Sequence, residues 1–313
     1  MSSTQLAPIV LFVYNRPWHT KQVLDALALN KEAKDSELYI YCDGAKENAT
    51  EEVLQKIKEV RLLINSENRF KKVIVKESLK NKGLANSIIE GVTEVIKQYG
   101  RVIVLEDDLV PSVGFLHYMN SALQLYENEK NVSAIHGWSK KLDIKITQEQ
   151  TFFVKGADCW GWATWLKNWE LFNYDAQDLY NQIIEKDLVN HFNLFGAIDY
   201  TGMLKMQIDG KIDSWAIRWQ ASMFLENKLC LHPVNSLIKN IGMDGSGVHN
   251  GVSTLEENIV DEIVLKKIDV EENIGFYFAM QPAVLSANNK DVVKQKITFK
   301  ELKHSVKRFL LNK

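Results

Sequence analysis

The sequence lacks three features that would assign it at once to a broad class of protein. Its 38 Lys and Arg residues nearly balance 40 Asp and Glu residues, so a formal net charge of −2 gives no field that attracts nucleic acid. No segment approaches the roughly 20 apolar residues that span a bilayer. The three cysteines are odd in number and far apart, which fits neither a metal site nor a disulfide framework. We therefore expect a cytoplasmic protein without a nucleic-acid partner.

The first 108 of the 313 residues alternate between short apolar runs and segments of helical periodicity. Short, continuous apolar runs are typical of strands that are buried on both faces of a sheet. The predicted strands cover residues 8–14, 38–42, 73–75 and 102–105, and the predicted helices cover residues 17–27, 50–64 and 84–98. This alternation predicts an α/β fold with a mostly parallel central sheet and helices on both faces.

After residue 111 the pattern changes, and five of the eight tryptophans lie between Trp138 and Trp169. We predict a helix, a strand, a tryptophan-rich stretch, a mostly helical segment, a further helix and strand, and a glycine-rich loop. The first helix covers residues 115–129, the strand 132–136 and the tryptophan-rich stretch 138–169. The mostly helical segment covers residues 174–209. The further helix and strand cover residues 215–225 and 229–234, and the glycine-rich loop covers residues 242–251.

Polar residues follow three of the four strands in the first part of the chain. They are Asn15-Arg16, Asp43-Gly44 and the triplet Glu106-Asp107-Asp108. Ligands of such sheets bind beyond the carboxyl ends of the strands. Crowded carboxylates are costly without a cation, and their hard oxygens suit Mg²⁺ or Mn²⁺ together with phosphate oxygens. The triplet therefore predicts a divalent metal site for a sugar nucleotide, although an isolated acidic turn more often caps a helix.

Four further positions have both a structural and a functional interpretation. Gly83 and Leu84 begin a helix, where the backbone could approach a nucleotide. Asp213 precedes a helix and is either an N-cap or a general base that deprotonates an acceptor hydroxyl. His249 lies in the glycine-rich loop and is either a surface residue or a contact to the diphosphate.

The stretch from Gly156 to Trp162 combines two glycines, Asp158 and two tryptophans. Tryptophans are mostly buried, so a core position is the default interpretation. Glycines beside tryptophans also suit close approach of a ligand, and flat aromatic faces suit sugar rings.

Together these segments resemble the GT-A glycosyltransferases. The likeness is closest to the inverting N-acetylglucosaminyltransferase I type and to bacterial polysaccharide glycosyltransferases of similar pattern. It is carried by residues 13–16, 41–44, 104–109, 156–165, 213–215 and 247–249. The resemblance implies residues 1–110 as a nucleotide-sugar-binding half, 111–260 as an acceptor half, and 261–313 as a C-terminal extension.

The resemblance also implies a nucleotide-diphospho-sugar donor, most simply uridine-linked, and Mn²⁺ or Mg²⁺ as cofactor. Asp108 would bind the metal directly, and Glu106 and Asp107 would contact ribose or sugar hydroxyls. Arg16 and Asp43 occupy the positions that hold uracil and its neighbouring phosphate.

The same resemblance puts Asn15, Trp162 and His249 at the donor as well, beside Gly83 and Leu84 at the start of their helix. Asp213 occupies the place of the base. The family pattern has two adjacent acids there and this chain has Ser214 at one of them, so Asp213 and Asp158 both remain candidates.

The expected function is transfer of a sugar to a glycan or lipid-linked glycan acceptor in bacterial cell-surface polysaccharide biosynthesis. A sugar-nucleotide pyrophosphorylase is the second candidate, but no glycine-rich loop follows the first strand. A carbohydrate-binding protein is the third, and it leaves the acidic triplet unexplained.

The tail, residues 290–313, carries eight Lys and Arg against two acids, with apolar residues along one helical face. Such a basic amphipathic helix either contacts an anionic membrane peripherally or packs its apolar edge on the domain.

Overall fold

The computed structural model describes residues 6–142, 145–246 and 256–287, with side chains described as far as residue 280. Ten strands alternate with ten helices and two short 3₁₀ turns in the described chain. The strands are β1 Ile9–Val13, β2 Glu37–Cys42, β3 Lys72–Glu77, β4 Arg101–Glu106, β5 Leu109–Pro111, β6 Val132–His136, β7 Thr151–Lys155, β8 Trp162–Trp165, β9 Leu229–Pro233 and β10 Ile238–Asn240. The helices are α1 Pro17–Ala28, α2 Glu51–Asn65, α3 Leu84–Tyr99, α4 Phe115–Leu125, α5 Leu166–Trp169, α6 Ala176–Glu185, α7 Val189–Phe192, α8 Tyr200–Ile208, α9 Trp215–Leu225 and α10 Ile274–Ala287.

Eight strands form one mixed sheet in the order β3-β2-β1-β4-β8-β6-β9-β7. The first four are mutually parallel, with Val10 of β1 paired to Tyr39 of β2 and to Val104 of β4. Only β8 and β7 run against the others, because β8 is antiparallel to β4 and β6, and β7 is antiparallel to β9. The expected α/β fold with a mostly parallel central sheet is confirmed.

Successive residues of β1 point to opposite faces of the sheet, and each face has its own helices. Leu11 and its odd-numbered neighbours pack with apolar residues of α1, α2 and α4. Val10 and Phe12 pack with α3 and α9 on the other face. The helices at both faces are therefore confirmed, although α4 ends at Leu125 rather than at residue 129 as predicted.

Four tryptophans form much of the core on the α3 and α9 face. Trp162 stacks on Trp215 with ring centroids 5.3 Å apart, and Trp169 and Trp219 complete the cluster. The side chain of Trp162 is only 1% exposed because β8 is inserted between β4 and β6. The prediction that Trp162 contacts the donor is therefore wrong in this structure, since a strand in the centre of the sheet buries its ring.

A second, two-stranded sheet pairs β5 with β10 just beyond the end of β4. It joins the acidic triplet to the start of the glycine-rich loop. Predicted features at His249 and in the tail, residues 290–313, lie outside the described residues. Within the described part of the chain, no helix is both long enough and apolar enough to cross a membrane.

Candidate functional site

A cavity of about 340 Å³ lies at the carboxyl ends of β1, β2 and β4, and we call it the carboxylate cavity. Polar residues from all three strand ends line it, as expected for a parallel sheet. The polar and glycine residues in its wall are Asn15, Arg16, Asp43, Lys46, Asn81, Gly83, Ser87, Glu106, Asp107, Asp108, Asp213 and Ser246.

Arg16 bridges the acidic triplet instead of projecting freely into the cavity. Pro17 opens α1 at the first helical position, so the residue before it is held at the strand end. One guanidinium nitrogen of Arg16, Nη2, donates to Asp107 Oδ1 and, at 2.9 Å, to Asp108 Oδ2. The other terminal nitrogen, Nη1, is buried and has no partner among the described residues. A buried guanidinium N–H without an acceptor indicates a place for an anionic group of a ligand.

The three carboxyl groups of the triplet are crowded in a water-poor environment. Burial, with the charges of Asp108 and Asp107, raises the pKa of Glu106 to about 8. Burial also raises the pKa of Asp107, although the ion pair with Arg16 opposes that shift. A bound divalent cation lowers the cost of ionising such groups.

The donor set therefore fits Mg²⁺ or Mn²⁺. With all three carboxyl groups ionised, the triplet and Arg16 carry two formal negative charges, and carboxylate oxygen is the ligand that these ions prefer.

Asp108 is held from both sides. Its carbonyl accepts a 2.9 Å hydrogen bond from the Ile241 amide, at the end of the β5 and β10 sheet. Gly242 lies so close that a Cβ there would be 2.1 Å from Asp108 Oδ2. A side chain at that position would displace the Asp108 carboxylate, so this part of the glycine-rich loop shapes the acidic triplet.

Asp43 anchors a turn and has little capacity left for a ligand. Its Oδ1 accepts from the amides of Gly44 and Lys82, and its Oδ2 accepts from those of Lys82 and Gly83, all at 2.8–3.1 Å. A carboxylate offers about four lone-pair sites, and these bonds use them. Asp43 therefore positions Gly83, whose φ of 78° suits glycine at the start of α3.

A second cavity, of about 780 Å³, lies beside the first, and we call it the tryptophan cavity. Trp138 and Trp160 are half-buried in its wall, and their rings meet edge to face with centroids 4.7 Å apart. A large apolar part of the wall comes from the region of α8 and α10. Its residues there include Leu194, Ala197, Ile198, Met203, Met206, Ile212, Phe276 and Met280.

The loop that carries Asp158 is anchored at both ends. At one end Gln220 of α9 accepts from the Ala157 amide, and a Cβ at Gly156 would lie 2.1 Å from the Gln220 oxygen. At the other end the Trp160 amide donates to His136 Nε2 at 3.1 Å. Asp158 Oδ1 accepts from the Cys159 amide at 2.7 Å. Asp158 is therefore held at a defined place in the cavity.

The two candidate bases have different surroundings. Burial raises the pKa of Asp158 above the ordinary value for aspartate. Asp213 is 59% exposed at its side chain and forms an ion pair with Arg218 at 3.3 Å. Asp213 also lines both cavities, and a Cβ at Gly83 would lie 3.9 Å from its Oδ2.

The two cavities meet at a common wall formed by Leu84, Glu106 and Asp213. Of the residues predicted from the sequence, nine lie in the carboxylate cavity. They are Asn15, Arg16, Asp43, Gly83, Leu84, Glu106, Asp107, Asp108 and Asp213.

The sequence did not single out His136 or His232 as site residues, nor Trp138 or Trp160 individually, although all four contribute to the second cavity or its loop. One signal was present, because His136 ends a predicted strand in the same way as the acidic triplet does.

No family model and no curated protein sequence matches this chain. Among solved structures, a UDP-glucose pyrophosphorylase complexed with UDP-glucose is 11% identical with a TM-score of 0.36, covering 75% of this chain and 92% of that one. A mannosyltransferase from Pyrobaculum calidifontis in complex with GDP-Man and Mn²⁺ is 12% identical with a TM-score of 0.35, covering 72% and 70%. The S. aureus protein TarS is 15% identical with a TM-score of 0.30, covering 57% and 30%. Likenesses this distant carry no argument about function.

Proposed function

We propose that this protein is a metal-dependent, inverting glycosyltransferase that uses a nucleotide-diphospho-sugar donor, with a uridine-linked donor as the first to test. The observation that carries the proposal is the common wall of Leu84, Glu106 and Asp213 between two unlike cavities. A group transfer needs two substrates whose reacting atoms meet at one point. A charged cavity beside an aromatic and apolar one suits a nucleotide diphosphate beside a glycan.

On the donor side, Asp107 and Asp108 would hold Mn²⁺ or Mg²⁺, and Arg16 Nη1 would donate to a diphosphate oxygen. The bound cation would supply positive charge for the diphosphate leaving group. Gly83 and Leu84 would place the α3 backbone beside the sugar, while Asp43 keeps that turn in position.

On the acceptor side, we assign the general base to Asp158 rather than to Asp213. A base is most effective when its pKa lies near the working pH, and burial shifts Asp158 in that direction. Asp158 would take the proton of the acceptor hydroxyl while that oxygen attacks the anomeric carbon. The bond from that carbon to the diphosphate oxygen breaks, and the nucleoside diphosphate leaves with the electron pair. Asp213, in the common wall, would contact hydroxyls of the donor sugar.

The lining of the tryptophan cavity supports a neutral glycan acceptor that carries an apolar portion, such as a lipid-linked glycan. Tryptophan faces suit sugar rings, and the apolar residues near α8 and α10 suit a hydrocarbon. Its ionisable residues include three acids, Glu106, Asp158 and Asp213, against two lysines. The largely apolar and aromatic wall offers few charged partners for a sugar phosphate, which disfavours the pyrophosphorylase alternative.

The proposal is tested by incubating the protein with a panel of nucleotide sugars, with Mn²⁺ or with EDTA, and measuring released nucleoside diphosphate. Release that requires the metal and is faster with glycan acceptors than with water supports the proposal. Release of diphosphate from a sugar phosphate and a nucleoside triphosphate would support a pyrophosphorylase instead. Glycan binding without any turnover would indicate a carbohydrate-binding protein.

A further inference from the structure

Two buried histidines lie beside the proposed base, Asp158. His136 ends β6, and His232 lies at the neighbouring position of β9. Their Nδ1 atoms are 3.2 Å apart, and their side chains are 0% and 7% exposed. His136 Nε2 is 3.7 Å from Asp158 Oδ1, and His232 lines the tryptophan cavity.

The hydrogen bonds fix which nitrogen of each ring carries the proton. The Trp160 amide donates to His136 Nε2, so that nitrogen is an acceptor and the proton of neutral His136 lies on Nδ1. His136 Nδ1–H then faces His232 Nδ1 at 3.2 Å, so that nitrogen is unprotonated and the His232 proton lies on Nε2. Burial lowers the pKa of both imidazoles to about 3, so both rings are neutral at physiological pH.

His136, Asp158 and His232 could in principle hold a metal ion, because one ligand atom from each lies within 4.8 Å of the others. The hydrogen bonds disfavour this. Ligation through His136 Nε2 would displace the Trp160 amide, and ligation through Nδ1 would put a proton on Nε2, facing that same N–H. Loss of this bond would release the loop that carries Asp158.

The Nε2–H of His232 is the one donor of the pair left over for a ligand. No described residue accepts from it, and His232 lines the tryptophan cavity. A ring nitrogen of His232 and a carboxylate oxygen of Asp158 lie within 4.8 Å of each other. This separation allows the two side chains to contact neighbouring oxygens of one small molecule.

Building on the proposed function, we propose that the His136–His232 pair presents a neutral N–H donor to the acceptor, so that the acceptor carries a vicinal diol. Asp158 deprotonates the reacting hydroxyl, and His232 Nε2–H donates to the oxygen on the adjacent carbon. His136 is a positioning residue, because it sets the tautomer of His232 and anchors the Asp158 loop through the Trp160 amide.

The first test is independent of enzymatic activity. Two-bond ¹H–¹⁵N NMR of the ¹⁵N-histidine-labelled full chain distinguishes the two neutral tautomers, with assignments from His136→Gln and His232→Gln. We expect His136 as the Nδ1–H form and His232 as the Nε2–H form, both neutral from pH 8 down to pH 5 and unchanged by added Zn²⁺. A cationic ring at pH 6, the opposite tautomers, or stoichiometric Zn²⁺ binding lost in both variants would overturn the proposal.

The second test uses the smallest possible acceptors, ethylene glycol and ethanol, as competitors of water for the donor sugar. The ratio of transfer per hydroxyl of the diol over transfer to the mono-alcohol is the readout, since it does not depend on the total rate or on the number of hydroxyls. For the wild type we expect a ratio of about fivefold, as for one added neutral hydrogen bond. The ratio should fall to about one in His232→Leu.

Two variants serve as references for that ratio. His232→Gln offers both an oxygen that can accept from His136 and an amide that can donate to the diol, so it should restore most of the preference. His117→Leu changes an exposed histidine that lines neither cavity, and this variant should keep the preference. An unchanged ratio in His232→Leu, or none in the wild type, contradicts the proposal. A protein that releases no nucleoside diphosphate even to water refutes the proposed function instead, and the NMR test still decides the tautomers.

Discussion

The carboxylate cavity and the tryptophan cavity share a wall but are built by different parts of the sheet. The first lies at the carboxyl ends of three parallel strands that are adjacent in the sheet, β1, β2 and β4. Arg16 forms ion pairs with two of its acids, Asp107 and Asp108. The second is formed where β8 and β7 reverse direction and where loops, β9 and the region of α8 to α10 come together. Under the proposed function, the parallel half of the sheet binds the anionic donor and the mixed half selects the acceptor.

The largest effect should come from the charged cavity. Asp108→Ala removes a carboxylate that we assign to the metal and should lower transfer by about 10³-fold, because the leaving group loses its stabilising charge. Steady-state release of nucleoside diphosphate measures this. Asp209→Ala, a change at an exposed aspartate paired with Lys211, is the matched control and should behave as wild type. Activity of Asp108→Ala close to that of the wild type would show that Asp108 does not bind a metal needed for transfer.

The next effect concerns the tryptophan cavity. Asp158→Asn should lower the rate of transfer by about 10²-fold or more, because it removes the general base, while donor affinity stays the same. Calorimetric titration of the donor, next to kinetic assays, separates the two quantities. Loss of donor binding in this variant would contradict the assignment of the donor to the carboxylate cavity and of the base to the tryptophan cavity.

The pH dependence of transfer, measured for the wild type and for Asp158→Asn, tests the same assignment of the base. A general base must be ionised, and the pKa of Asp158 is raised, so transfer should fall as the pH drops through a value above the ordinary pKa of about 3.9. Asp158→Asn should lack this acid limb. A limb that persists in the variant would belong to another group, such as one in the acidic triplet.

Asp213 belongs to both cavities and should show a smaller effect. Asp213→Asn keeps a polar side chain in the common wall, and we expect a loss of about tenfold or less, mainly in KM for the donor. A loss as large as that of Asp158→Asn, confined to kcat, would move the base assignment to Asp213.

Asp43 distinguishes a structural contact from a binding one. Asp43→Asn leaves fewer acceptors for the amides of Gly44, Lys82 and Gly83 and should lower stability by about 1–2 kcal/mol. Thermal unfolding should show a fall of a few degrees. A change in nucleotide preference with no change in unfolding temperature would instead mean that Asp43 contacts the base.

The carboxylate cavity could be predicted from the sequence for a simple geometric reason. Polar residues at the ends of parallel strands meet at one edge of the sheet, so Arg16 and the acidic triplet were expected together. Their pairing was not expected, because an ion pair between Arg16 and the acids depends on side-chain directions. The hydrogen bonds from backbone amides to Asp43 depend on the path of the turn at Lys82, so they could not be predicted from the sequence either.

The tryptophan cavity was harder to foresee because its residues are distant in sequence. Trp162 and Trp160 are two residues apart, yet one is in the core and the other lines the cavity. That difference arises because β8 enters the sheet antiparallel to β4. No local sequence pattern predicts this strand pairing. His136 and His232 are 96 residues apart in sequence and become neighbours because β6 and β9 pair in parallel.

The central claim is that the carboxylate cavity binds a nucleoside diphosphate through a divalent metal, and calorimetric titration tests it most directly. UDP, GDP, ADP, CDP and TDP would each be titrated into the wild-type chain and into Asp108→Asn, with Mn²⁺ or with EDTA. We predict that at least one nucleotide binds to the wild type in Mn²⁺, that EDTA abolishes this binding, and that Asp108→Asn does not bind it in either condition. Equal binding with Mn²⁺ and EDTA, or no binding of any nucleotide, would contradict the claim.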